Sequence, residues 1–149
     1  MTNPTKLSEC RPVCLTSCLG KAMEKIIAKD ILRHTKAIWE KSDQFGFLPG
    51  RNTMDAIVKV IDDWERALDN KETIHAVFFD FSKAFDLVNH KRLMQKLKKL
   101  LPPYLTSWIA EWLSDRKQRV KCGNTYSLWE LVVAGIIQGS VLGTIIFLL

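Results

Sequence analysis

HAVFFDFSKAFD, residues 75–86, decides how this chain is read. Its first seven residues are rich in β-formers and apolar on both faces, the pattern of a central strand covered on each side. Asp80 interrupts that run, with Val77, Phe78, Phe79 and Phe81 around it. A buried, ionised carboxylate is costly unless it is paired, hydrogen-bonded or bound to a cation. Two readings follow. Asp80 presents its oxygens to a divalent metal from the end of a rigid strand, or it ends the strand and caps the turn SKAF. Mg²⁺ usually takes one or two carboxylates plus substrate phosphates, so a single aspartate is an incomplete site. Asp86, in DLVNH before a helix, reads as a residue that caps or orients the turn.

Working outward, Ser17 is placed to cap a helix running to about residue 37, with Leu19, Met23, Ile26, Ile27 and Ile31 as its apolar face. QFGFLPGRNT reads as a loop or short hairpin. Thr53 can cap a second helix that carries Ile57, Ile61, Trp64 and Leu68 on one side. Beyond the strand, NHKRLMQKLKKL is a basic amphipathic helix with Leu93, Leu97 and Leu100 as its seam. Pro102 and Pro103 end it, and a Trp-rich helix follows from Tyr104 to Ser114. QRVKCGNTYSLWELVV reads as a hairpin turning at Gly123-Asn124, followed by an uncharged tail. Helices around a buried strand, then a hairpin, predict an α/β (α+β) layered domain.

Composition sets the bounds. At 149 residues, 47% hydrophobic and 26% charged, the chain suits one globular domain and not a disordered tail. A formal charge of +6 favours anionic partners such as nucleic acid or an acidic membrane face. Lys91, Arg92, Lys96, Lys98 and Lys99 on the basic helix could track a phosphate backbone or form a solvated face. Cys10, Cys14 and Cys18 recur every four residues, but Pro12 interrupts any helix through them and no CxxC pair occurs. They read as free intracellular thiols. MTNPTKLSEC has no apolar core of a signal peptide, so the expected location is intracellular, nuclear or cytoplasmic, and not secreted. Residues 131–149 carry no charge, and a bilayer-spanning helix needs about 20 such residues. A tail anchor is therefore an alternative, opposed by Gln138, Gly139 and Ser140 in its middle; no membrane partner is expected.

FFDFSKAFDLVNH resembles the palm strand-and-turn motif of reverse transcriptases from non-LTR (LINE-type, jockey-like) retrotransposons. Four further segments resemble that family in the same order. RPVCLTSCLGKAMEKII is similar to the opening fingers motif and QFGFLPGRNTMDA to the second. WLSDRKQRVKCG is similar to the hairpin entry, and GIIQGSVLG to the following palm motif. The resemblance runs from about Arg11 to Leu149. It implies a partial right-hand polymerase: fingers over about residues 1–75, then an incomplete palm with inserted helices over about 76–149.

By motif position, the resemblance makes Asp80 the first catalytic carboxylate and a metal ligand, joined by the backbone carbonyl of Phe81. Lys83 and Ala84 would direct backbone N–H groups at the incoming triphosphate, as successive amides in a turn can. Phe85 stands at the aromatic gate against the ribose 2′-hydroxyl; on its own it reads as core. Arg11 resembles the fingers arginine that meets the triphosphate, where a fixed fork matches phosphate oxygens. Gln138 and Gly139 resemble the loop that packs on nucleotide and template. The implied chemistry is phosphoryl transfer by two Mg²⁺ ions roughly 3.5–4 Å apart, with an RNA template, a DNA primer and a dNTP as partners.

Three features depart from the family pattern. Ile137 and Thr144 stand where the family usually has proline, which would stiffen the loop. No aromatic-x-Asp-Asp motif follows, and the only adjacent aspartates, Asp62 and Asp63, lie in the helical run VIDDWERAL. The thumb is absent too. The expectation is therefore a fragment of an RNA-directed DNA polymerase that does not polymerise by itself, with a non-catalytic nucleic-acid-binding remnant as the alternative.

Overall fold

The computed structural model describes residues 14–149, so Cys10, Arg11 and Pro12 lie outside the described residues. Its helices are α1 (Cys18–His34), α2 (Lys36–Glu40), α3 (Thr53–Asp69), α4 (His90–Leu100), α5 (Pro103–Leu113) and α6 (Val141–Leu148). Between α5 and α6 lie four two-residue strands: β1 (Lys117–Gln118), β2 (Lys121–Cys122), β3 (Thr125–Tyr126) and β4 (Glu130–Leu131). The chain forms two compact units, one of Ala84–Leu149 with the segment up to His34, the other of Thr35–Lys83. Helices and small antiparallel strands are mixed, as the α/β (α+β) reading expects.

The first unit holds most of the apolar core. α1 packs on α6, and α4 on α5. Leu93 and Leu97 on α4 meet a stripe at helical spacing, Leu105, Ile109 and Leu113 on α5, and all five are buried. Each fully buried Leu or Ile contributes about 1.5–3 kcal/mol. Asn89 starts α4 by accepting from the Arg92 amide at 3.0 Å, and Pro103 opens α5, where the absent N–H costs nothing.

Ser17 caps α1 as expected, its hydroxyl accepting from the Gly20 amide at 3.0 Å. The helix ends at His34 rather than near residue 37, because Thr35 turns the chain into α2 and its carbonyl accepts from the Ile38 amide at 2.9 Å. The buried stripe of α1 is also rotated from the expected one. Glu24, Ala28 and Ile31 are buried, whereas Leu19, Met23 and Ile26 are exposed.

In the second unit, Asn52 rather than Thr53 caps α3, accepting from the Asp55 amide at 3.0 Å. α3 buries none of its side chains; Ile57, Ile61 and Leu68 of its apolar face are exposed. Arg51 holds the loop before it, donating to the carbonyls of Ser42, Gln44 and Trp39 at 2.6, 2.7 and 2.5 Å.

Two expectations are overturned. Residues 72–81 pair with no strand among the described residues, and Val77, Phe78, Phe79 and Phe81 are 73–87% exposed. A strand exists only where a neighbour takes its N–H and C=O groups, and the ladders formed here are β1 with β4 and β2 with β3. The covered strand is therefore absent, and so is the burial of Asp80 that rested on it. The uncharged tail is not one helix either. Gly135 and Gly139, at φ 86° and 87°, turn the backbone through the left-handed region. Ser140 then caps α6 by accepting from the Gly143 amide at 2.8 Å. α6 lies in the core, and no helix among the described residues is long and apolar enough to cross a membrane.

Candidate functional site

The residues that follow Lys83 are stitched to the loop 135–140 by backbone and side chain together. The amide of Ile136 donates to the Phe85 carbonyl, and the amide of Gly135 to the Val88 carbonyl, both at 2.8 Å. The His90 Nε2 lies 2.7 Å from the Gly135 carbonyl; an oxygen there can only accept, so this ring nitrogen carries the hydrogen. Gly135 is required twice over. Its φ is positive, and a Cβ at that position would stand 3.0 Å from the Asp86 carbonyl oxygen.

Gln138 is held from both ends. Its side-chain amide donates to Asp86 Oδ1 at 3.1 Å, and its carbonyl accepts from the Cys14 amide at 3.3 Å. Asp86 thus orients the turn, as its place before α4 suggests, while Asn89 does the capping. The Phe85 ring is half-buried and stacks on Phe147 with centroids 4.6 Å apart and planes 16° from parallel. Gly139 is exposed at the tip of the same loop.

Phe85, Gln138 and Gly139 are thereby brought into one packed substructure, beside Ala84, which is half-buried. Asp80, Phe81 and Lys83 belong to the other unit. Asp80 is exposed and has no ion-pair partner among the described residues. Phe81 is 80% exposed, and Lys83 adopts φ 52°, the left-handed conformation that a nest of successive amides uses. Arg11 lies outside the described residues.

No group of three His, Cys, Asp or Glu side chains among the described residues could hold a metal ion. One exposed carboxylate does not fit a two-ion site, and no catalytic step follows from it alone. The thiols of Cys14, Cys18 and Cys122 are free.

Two contacts of this substructure escaped the sequence reading. In the sequence His90 reads only as part of a basic helix, yet it anchors the Gly135 carbonyl. Glu24 lies off the apolar face expected for α1, yet it is buried and its carboxylate accepts from the Val141 amide at 3.2 Å, at the first turn of α6. Both contacts span long stretches of sequence, and no local pattern announces them. The basic side chains of α4 are exposed, with Leu93 and Leu97 buried on the opposite side.

A turn carrying Asp86 is thus sewn to a Gln-Gly loop that opens the buried helix α6. Comparison with known proteins makes the class specific. The family model described as reverse transcriptase (RNA-dependent DNA polymerase) matches residues 3–149. This chain belongs to the reverse transcriptase family. It is 36% identical, over 92% of its length, to the probable RNA-directed DNA polymerase from transposon BS of Drosophila melanogaster, covering 15% of that protein. To the RNA-directed DNA polymerase from mobile element jockey of the same organism it is 35% identical over 97% of its length, covering 16% of that protein. A third relative, the probable RNA-directed DNA polymerase from transposon X-element, is 33% identical over 93% of the chain and is covered over 15% of its length. The reverse transcriptase domain is thus of the jockey-like, non-LTR type, and the chain spans about one-sixth of the relatives it matches. No solved structure matches.

Proposed function

We propose that this chain is the fingers and incomplete palm of a mobile-element RNA-directed DNA polymerase, with the fingers ending near residue 75. It serves two-metal nucleotidyl transfer but does not perform it by itself. The observation that carries this reading is the seam between Phe85–Val88 and Gly135–Gln138, which fixes together two motifs that the family uses around the nucleotide. In this reading Asp80 and the Phe81 carbonyl are the segment's contribution to the Mg²⁺ site. Lys83, Ala84 and Arg11 face the triphosphate, Phe85 faces the sugar, and Gln138 and Gly139 contact nucleotide and template. The second carboxylate lies outside these 149 residues, which contain no aromatic-x-Asp-Asp motif.

The test is a transplant. These residues replace the matching segment of the jockey polymerase, and primer extension is measured on an RNA template with dNTPs and Mg²⁺. The chimera is expected to extend the primer, whereas the 149-residue chain gives no product. In the chimera, Asp80→Ala lowers the rate about a thousandfold, matching the several kcal/mol that metal stabilisation of a transition state supplies. Equal extension by the parent and Asp80→Ala chimeras refutes the assignment.

A further inference from the structure

The hairpin after α5 carries an aromatic and basic face to which neither the nucleotide nor the metal roles above assign any residue. Gln118 stands opposite Glu130, and Lys121 opposite Tyr126. Between those pairs, Arg119 and Val120 on one strand face Ser127, Leu128 and Trp129 on the other. The return strand therefore holds one extra residue, a β-bulge. In a regular strand, Tyr126 and Trp129 would point to opposite faces. The bulge turns both toward Arg119, whose guanidinium carbon lies 4.0 Å from the Tyr126 ring centroid and 4.5 Å from that of Trp129.

The two-residue period puts Lys117 and Lys121 on the same face as Arg119, and the Lys121 ammonium lies 5.6 Å from the Tyr126 ring centroid. Glu130 pairs with Gln118 on the opposite face. Three cations thus share one side with two aromatic rings, and none of them has an ion-pair partner among the described residues. The rings remain accessible, Tyr126 at 47% and Trp129 at 58% exposed.

We propose that this face binds a single-stranded RNA segment, with bases stacked on Trp129 and Tyr126 and phosphates on Lys117 and Lys121. Its choice of RNA rests on the RNA-directed polymerase reading. Stacking needs open ring faces in fixed orientations, and Arg119 supplies the fixing by covering one side of each ring. The segregation of positive charge supplies the complementarity to phosphate.

The test uses the full 149-residue chain and a labelled oligouridylate about twelve nucleotides long, titrated by fluorescence anisotropy across a range of KCl concentrations. Trp129→Ala is expected to weaken binding about tenfold without changing the salt slope. The double variant Lys117→Gln, Lys121→Gln is expected to lower the slope by about 1.4, the share of two phosphate contacts to a single strand. Photocrosslinking of the unaltered chain to a 4-thiouridine oligonucleotide, which needs no variant to fold, places the crosslink in the hairpin peptide. Crosslinks elsewhere, with both variants binding like the parent, overturn the proposal. Equal affinity for double-stranded RNA or for phosphatidylserine vesicles also overturns it, because charge alone would then explain binding. A polymerising chimera with no hairpin crosslink removes this inference and leaves the polymerase reading standing. Hairpin binding with an inactive chimera does the reverse.

Discussion

Glu24 is the only carboxylate residue buried among the described residues, and two partners explain why it is tolerated there. It accepts from the Val141 amide where α6 begins, the end of a helix that favours negative charge. Its charge also supports Arg116, whose pKa burial pushes down while Glu24 and Cys14 act to raise it. Glu24→Ala leaves the amide unpaired and should cost about 1–3 kcal/mol in a denaturant titration. Glu24→Gln keeps an acceptor and should lose less; an alanine variant as stable as the parent refutes the role. Tyr104 offers a test in pH. Its hydroxyl donates to Asp30 Oδ2 at 2.6 Å, and that bond, more than burial or Asp30's charge, raises its pKa. The native state therefore holds this proton more tightly than the unfolded chain. The contribution is complete below the unfolded value near 10 and is lost as pH rises through the higher folded value. Melting temperature should fall more steeply above about pH 10 for the parent than for Tyr104→Phe. Parallel curves for the two would count against the bond.

At the scale of elements, α6 sets two effects against each other. Gly143 lies inside this helix, where Ala is favoured by about 0.8–1.0 kcal/mol on propensity alone. Its added Cβ would stand 2.6 Å from Ile136 Cγ2 and 2.9 Å from the Ile137 carbonyl oxygen. A backbone oxygen and a β-branched side chain yield little, and overpacking of this kind costs about 1–3 kcal/mol. Sterics should win, so Gly143→Ala lowers the denaturation midpoint; a higher midpoint would show that the loop 136–137 relaxes freely. The same elements show what the sequence could and could not reveal. α4, α5 and the Gly123-Asn124 hairpin are legible because their apolar seams, prolines and turn residues are local signals. The rotated stripe of α1 is not, since Ala28 rather than the larger Leu19 or Met23 lies on the buried side. HAVFFDF misleads for the converse reason. Its composition states a preference for a covered strand, but coverage and pairing come from other segments, and the ladders among the described residues involve only β1 to β4. The candidate site divides the same way. Asp86, Gln138 and Gly139 lie in recognisable motifs, whereas the bonds that join those motifs link residues some fifty positions apart.

Across the whole molecule, apolar burial is unequally shared. Nearly all of the buried hydrophobic side chains lie in the unit of α1 and Ala84–Leu149, while Leu48 alone represents Thr35–Lys83. Local stability follows buried apolar contacts, so the two units should open at different free energies. Amides of α3 are held by helical bonds and the Asn52 cap without buried side chains behind them, with Trp64 39% exposed and Ile57 49% exposed on the face that should be covered. Those of α4 and α6 are backed by Leu97 and Ile146, both fully buried. Hydrogen exchange followed by mass spectrometry, on dilute chain, should show peptides of α3 and residues 72–81 exchanging early and those of α4 and α6 late. Raising the concentration discriminates further. Val77, Phe78 and Phe79 present a contiguous exposed apolar stretch on a backbone that joins no ladder, which favours edge-to-edge association. Protection in 72–81 should therefore rise with concentration and fall again when Phe79 is replaced by Lys, while α4 and α6 stay unchanged. If α3 and 72–81 are instead as protected as α6 at the lowest concentration, their apolar faces are covered within the single chain, and the unequal division of the core is wrong.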